Sequence, residues 1–171
     1  IATGLLPLCF GEATKFAHVL LDARKEYLAT LAFGIATETG DAEGATLRTC
    51  EVSFSCDELA GVLPRFVGTI AQVPPRFAAL KHQGRNYYEY ARAGVEIPRA
   101  ARNVRIDAIE LLRWEPPQAV LRVACGKGTY VRTLAEDIAA ALGSCAHLAA
   151  LRRTIAGPFA IDGAVTLDAL E

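Results

Sequence analysis

Apolar and polar positions follow several distinct rhythms along this chain. Residues 12–21 (EATKFAHVLL) carry apolar side chains at helical spacing and predict a short amphipathic helix. Residues 27–33 (YLATLAF) read as a strand that ends at Gly34. Residues 36–44 (ATETGDAEG) are polar and rich in turn formers, which predicts a loop. Ser55-Cys56-Asp57-Glu58 stands before an apolar-periodic stretch to Phe66 and predicts a capped helix. A break follows at residues 72–75, and residues 71–84 form a protruding loop on this reading. Residues 86–94 predict a helix carrying Tyr87, Tyr88 and Tyr90.

Residues 104–113 and 119–125 are alternating or apolar runs separated by a proline-containing stretch, 114–118. They predict a β-hairpin with a longer loop. Residues 130–142 (YVRTLAEDIAAAL) give the clearest helical period, closed by Gly143. Residues 148–155 predict a further strand, with Arg152-Arg153 near its end. Together these elements predict an α/β or α+β chain, with a mixed β-sheet flanked by helices and no linker long enough to divide it.

Composition sharpens this picture. The chain has 171 residues, 52% of them hydrophobic, enough for one domain with a full core. The charged fraction of 22% and positive mean hydropathy exclude a disordered chain. No apolar run is long enough to span a bilayer, and no secretory leader is visible. The chain contains no Met and opens in mid-phrase at Ile1-Ala2-Thr3-Gly4, which reads as an internal piece of a longer protein. Five scattered cysteines without a CxxC pair, and three histidines, argue for reduced cytosolic thiols rather than a disulfide framework or metal site.

The net charge of −1 conceals an asymmetry. Between Arg76 and Arg105 lie seven basic residues and two acidic ones, interleaved with Phe77, Tyr87, Tyr88 and Tyr90. Such a segment is either a solvated face over an aromatic stripe or a surface for phosphates and stacked bases. Cys125-Gly126-Lys127-Gly128-Thr129-Tyr130-Val131-Arg132 runs from a strand through two glycines into a helix. It lacks the spacing of a P-loop. Arg132 falls in the first helical turn, where the helix dipole disfavours a cation. It is either a surface arginine with a local partner or the mate of a carboxylate or phosphate. Turn formation accounts for Asp41 and Glu43. His18, His82 and His147 fit no metal or triad spacing.

Taken together, the runs resemble one family. Ala2-Thr3-Gly4-Leu5-Leu6-Pro7 with Gly11-Glu12-Ala13-Thr14-Lys15, then Lys25-Glu26-Tyr27 with Thr37, Thr39, Asp41 and Gly44, are similar to successive blocks of the TruB family. The same holds for residues 72–81 with Gly84, Tyr88 and Ala91-Arg92, and for residues 125–134, 146–154 and Gly157. These are the bacterial tRNA pseudouridine-55 synthases. The resemblance implies the pseudouridine synthase fold, with a thumb that grips the T stem-loop of tRNA, and base flipping before chemistry. It implies an aspartate nucleophile two positions before Ile1, outside this chain, so that residues 1–171 alone are expected to be inactive. A C-terminal module of the PUA type is likewise expected beyond the chain. Neither Asp41 nor Asp137 has the context of that nucleophile.

By position, the resemblance makes Tyr27 the stacking residue and C5 general base, provided its pKa is lowered or a water relays the proton. It makes Arg132 the partner of the absent aspartate, and Tyr130 and Leu151 pocket-lining residues. Lys15, Arg76, Lys81, His82, Arg92 and Lys127 are the expected RNA contacts. No metal, cofactor, membrane or obligate protein partner is implied, and the expected form is a cytoplasmic monomer. The alternatives are a non-catalytic RNA binder or tRNA-folding chaperone, and an RNA-guided synthase of the same superfamily.

Overall fold

The computed structural model describes residues 2–170. Seven strands among these residues form one mixed sheet. In spatial order they are β1 (Ala2–Gly4), β10 (Ala146–Ala156), β2 (Lys25–Phe33), β9 (Gln118–Cys125), β8 (Arg102–Glu115) and β5 (Gly68–Gln72), with β11 (Phe159–Ala160) folded back on β10. Only β1 and β10 run parallel; every other pairing in the sheet is antiparallel. Two small hairpins stand apart: β3 (Ile35–Thr37) with β4 (Thr46–Thr49), and β6 (Lys81–His82) with β7 (Arg85–Asn86). Four α-helices accompany them: α1 (Ala17–Asp22), α2 (Cys56–Val62), α3 (Tyr87–Arg92) and α4 (Val131–Ala141).

The core follows from the sequence rhythm. Ala29, Leu31 and Phe33 alternate onto one face of β2 and are buried. Val131, Leu134, Ala135 and Ile138 repeat at helical spacing on α4 and are buried as well. These two faces close on each other with Leu121, Val123, Ile106 and Leu148, and with Leu59 and Leu63 from α2 and the turn after it. The Ser55–Glu58 capping box starts α2 as its sequence signals. Phe33, Phe54 and Trp114 pack ring against ring at 5.0–5.7 Å.

Several elements differ from the expectations. Residues 12–21 split into a 3₁₀ turn, Gly11–Phe16, and α1; Thr14 turns its hydroxyl back on the Gly11 carbonyl at 2.7 Å. The hairpin between β8 and β9 turns at Pro116-Pro117, because the strands extend to Glu115 and Gln118. The expected loop at 71–84 contains the end of β5 and the strand β6. Its hairpin turn takes left-handed backbone at both Gln83 and Gly84, the requirement of a two-residue primed turn.

The cysteine reading is corrected. Cys50 and Cys145, 95 residues apart, form a disulfide with Cα atoms 5.7 Å apart. Spacing rules could not reveal it, since the fold alone brings the end of β4 to the start of β10. Cys9, Cys56 and Cys125 are free, and burial pushes the Cys125 thiol up to about 11.

Thiol counting tests this arrangement. The denatured, unreduced chain should titrate three thiols and the reduced chain five. In the native chain Cys56 should react while Cys125 stays protected. Serine at both bridge positions should cost up to about 4.7 kcal/mol in urea denaturation, the chain-entropy scale for a loop of this size.

Candidate active site

Strand β10 organises the site because both of its edges are occupied. On one edge lies β2, with Tyr27 opposite Arg153. On the other lies β1, with Ala2 opposite Leu151. Further along that second edge, Asp41 makes an isolated parallel bridge to Leu148. The Leu148 N–H donates to the Gly40 carbonyl at 2.9 Å, and the Ala42 N–H to the Leu148 carbonyl at 3.1 Å. The register of β10 against β2 shifts twice, at Leu148/Ala150 and at Arg153/Ile155. Each irregularity falls where a site element docks, and bulges serve to re-aim side chains.

The turn between β3 and β4 is built to present Asp41. The Asp41 carboxylate accepts from the Thr39 hydroxyl at 2.6 Å and from the Glu43 N–H at 3.1 Å, both through Oδ1. The Thr37 hydroxyl donates to the Asp41 carbonyl at 2.6 Å. Gly40 has positive φ, and a Cβ there would stand 2.8 Å from Glu136 Oε1. The turn therefore needs glycine on conformational grounds, while the end of the Glu136 side chain could shift to make room for a Cβ. Asp41 is 7% exposed, and its second carboxylate oxygen faces Arg132.

Arg132 sits in the first turn of α4. Its Nη1 donates to Asp41 Oδ2 at 3.1 Å and to the Thr39 carbonyl at 2.9 Å; its Nη2 donates to the Phe77 carbonyl at 2.8 Å. The rigid fork of guanidinium donors suits this divided task. Arg132 thus has a carboxylate partner inside the chain, Asp41, which the sequence reading did not assign to it. Asp41 does more than form a turn: one oxygen closes the turn and the other neutralises the buried cation.

The remaining expected residues divide. Tyr130 precedes α4, where Gln72, itself almost wholly buried, accepts from its N–H at 3.0 Å and donates to its carbonyl at 3.3 Å. Leu151 is half-buried on β10, between the partners of Asp41 and Tyr27. Burial pushes the Tyr27 phenol above its ordinary range; the Arg153 guanidinium beside it pulls the other way without prevailing. A lowered Tyr27 pKa, one of the two conditions for a base, is therefore not met.

Lys81 and His82 form one strand of the protruding hairpin, and Tyr90 donates to the His82 carbonyl at 3.0 Å. Arg92 lies over the Tyr88 ring at 5.4 Å. Arg76 lines a cavity of about 90 Å³ behind α3, with Arg99 and Tyr87. Lys15 and Lys127 are instead engaged by Glu12 at 2.5 Å and Asp22 at 2.6 Å. Both pairs are exposed, so each holds its lysine weakly. Sequence reasoning missed Asp41 as a partner, Gln72 and Arg153. The threonines flanking Asp41 were visible, but no local signal joins them to Arg132, 91 residues away.

Comparison with known proteins agrees with this architecture. Residues 1–131 match the TruB family pseudouridylate synthase N-terminal domain, and residues 132–171 match the tRNA pseudouridylate synthase B C-terminal domain. The chain belongs to the TruB family of pseudouridylate synthases. It is 59% identical over 170 residues to tRNA pseudouridine synthase B of Thiobacillus denitrificans, covering 99% of this chain and 57% of that protein. It is 56% identical to the Pseudomonas aeruginosa tRNA pseudouridine synthase B, covering all of this chain and 56% of that protein. The chain thus spans little more than half the length of these curated relatives. A crystal structure of a Cbf5-Nop10-Gar1 complex superimposes with a TM-score of 0.73 at 30% identity, over 98% of this chain and 41% of that one. The boundary between the two matched domains falls inside α4, and the sheet is continuous across it, since β10 pairs with both β1 and β2.

A double-mutant cycle tests the ion pair. Asp41→Asn should destabilise the chain by on the order of 2 kcal/mol in urea denaturation, because a half-buried cation loses its carboxylate and keeps only two carbonyls. Asp41→Asn combined with Arg132→Met should cost at least about 1 kcal/mol less than the sum of the single changes. Additive costs would show that the pair is not coupled.

Proposed function

We propose that the full-length protein containing this chain isomerises uridine to pseudouridine in the T loop of tRNA. The observation that supports this most directly is Arg132, held in place by Asp41 beside the same β10 edge that β1 follows. Strand β1 runs parallel to β10, with its start toward the Asp41 end of that edge. A nucleophilic aspartate just upstream of β1 would therefore approach the guanidinium. Arg132 would hold that carboxylate ionised and aimed while it attacks the flipped nucleoside.

The division of roles follows. The nucleophile cleaves the glycosidic bond, the uracil rotates, and the bond re-forms through C5. Tyr27, with Leu151 and Tyr130, encloses the flipped base. With a raised pKa, the Tyr27 phenol is neutral through the physiological range, so the C5 proton leaves through a hydrogen-bonded relay rather than to a phenolate. The basic hairpin and α3, with Arg76, Lys81, His82 and Arg92, grip the T stem-loop through phosphate contacts and exposed rings. The chemistry needs no metal or cofactor. The protein acts as a cytoplasmic monomer without an obligate protein partner. Identity of 56–59% to proteins named tRNA pseudouridine synthase B, against 30% to the chain from the Cbf5-Nop10-Gar1 complex, favours this over an RNA-guided enzyme. No helix among the described residues is long and apolar enough to cross a membrane.

Incubating the full-length protein with a T stem-loop RNA and mapping pseudouridine by mass spectrometry tests this reading. RNA binding without product would reject the enzyme in favour of a chaperone. Tyr27→Phe should bind RNA within about twofold of the parent yet turn over about 100-fold more slowly, the scale of a lost proton-transfer group. Between pH 7 and pH 9 kcat should not climb with phenol ionisation, because the relay uses the neutral phenol, the form that predominates below the raised folded-state pKa. A tenfold rise per pH unit there, absent in Tyr27→Phe, would restore the phenolate base.

A further inference from the structure

We infer that Arg153 is a positioning residue that clamps the exit of β1 to the phenol of Tyr27. The inference deepens the proposed isomerase function and rests on it, except where the readout below is independent of turnover.

Strand β1 holds to β10 by its backbone ladder and by the Thr3 hydroxyl, which donates to the Leu151 carbonyl at 3.3 Å. All three of its residues are exposed, and it pairs along one edge only, with β10. This is the strand that leads into the site, and the residue after it is tied to Arg153 twice. Leu5 is 7% exposed, and both of its backbone groups end on Arg153. The Leu5 N–H donates to the Arg153 carbonyl at 2.9 Å, and Arg153 Nε donates to the Leu5 carbonyl at 2.7 Å. The backbones approach so closely that a Cβ on Gly4 would stand 2.3 Å from the Arg153 carbonyl oxygen. Gly4 also has positive φ, so the contact requires glycine twice over.

The same residue reaches the other side of β10. Arg153 is the cross-strand partner of Tyr27, and the register shift of β10 begins immediately after it. Its guanidinium lies beside the Tyr27 phenol and opposes the effect of burial there. Arg153 donates to the Leu5 carbonyl while standing across the strands from Tyr27. One side chain thus ties the strand leading from the nucleophile to the ring that stacks on the flipped base. Displacing either by about 1 Å is the kind of change that costs about 100-fold in rate.

The competing role is an RNA phosphate contact, which needs only the positive charge. Two variants of the full-length protein separate the roles. Arg153→Met removes charge and fork; Arg153→Lys keeps the charge but cannot span both partners with a planar fork. In a positioning role both variants lose kcat by about 100-fold while the Kd for T stem-loop RNA stays within about threefold. In a phosphate role, Arg153→Met loses affinity, Arg153→Lys restores it, and the inference is overturned. An unchanged kcat in Arg153→Met also overturns it.

A second measurement does not depend on activity. Alkaline absorbance titration, taken as the difference from the matching Tyr27→Phe protein, reports ionisation of Tyr27 alone. Arg153→Met should move that transition to higher pH, and an unmoved transition overturns the contact. Circular dichroism checks that each variant folds; if Arg153→Met does not, Arg153→Lys carries the kinetic and spectroscopic tests. If the parent forms no pseudouridine while the Tyr27 transition still shifts, the isomerase reading fails and the clamp stands.

Discussion

The site depends on neutralising one half-buried guanidinium at the start of a helix. Arg132 occupies a position where the dipole of α4 disfavours a cation. Burial there adds a desolvation cost that only good geometry offsets. The chain meets both demands with a carboxylate and two carbonyls drawn from segments distant in sequence: the turn carrying Thr39 and Asp41, and the segment carrying Phe77. Because those partners are fixed by their own networks, the guanidinium has one orientation. The same bonds tie the β3–β4 turn and the base of the basic segment to the helix that packs on the sheet.

Strand β10 spreads this order along the site. It receives Asp41 at Leu148, β1 at Leu151 to Arg153, and Tyr27 across from Arg153. The result is an electrostatic division along one strand. A compensated charge pair stands at one end, and a phenol kept neutral by burial stands at the other. The outer basic hairpin is built differently. Its side chains lie over rings or form exposed pairs, which suits contacts that must form and release with a polyanion.

Where local pattern and tertiary need agree, the sequence was readable. Helix α4 announces itself through its 3.6-residue period and the glycine after it, and β2 through alternation ending at Gly34. The capping box of α2 forms as its spacing predicts. Where an element exists only because a neighbour receives it, the reading failed. Strand β1 is three exposed residues held by β10, and β5 follows a glycine on an edge. The first helix splits because a threonine hydroxyl competes for a carbonyl. The family resemblance pointed to Tyr27 and Arg132, yet it did not reveal Asp41 as a neighbour of the arginine and left open the phenol pKa that burial raised.

The sequence by itself determined the element types, the basic and aromatic segment, and the family. Those follow from periodicity, composition and motifs, all of which act over a few residues at a time. Only the tertiary structure decided that Asp41 meets Arg132, that Cys50 meets Cys145, and that Arg153 bonds Leu5 and pairs across the strands with Tyr27. Each of those contacts joins residues roughly ninety or more positions apart. Their geometry comes from strand order, register and two irregularities in β10, and no local pattern of side chains encodes it.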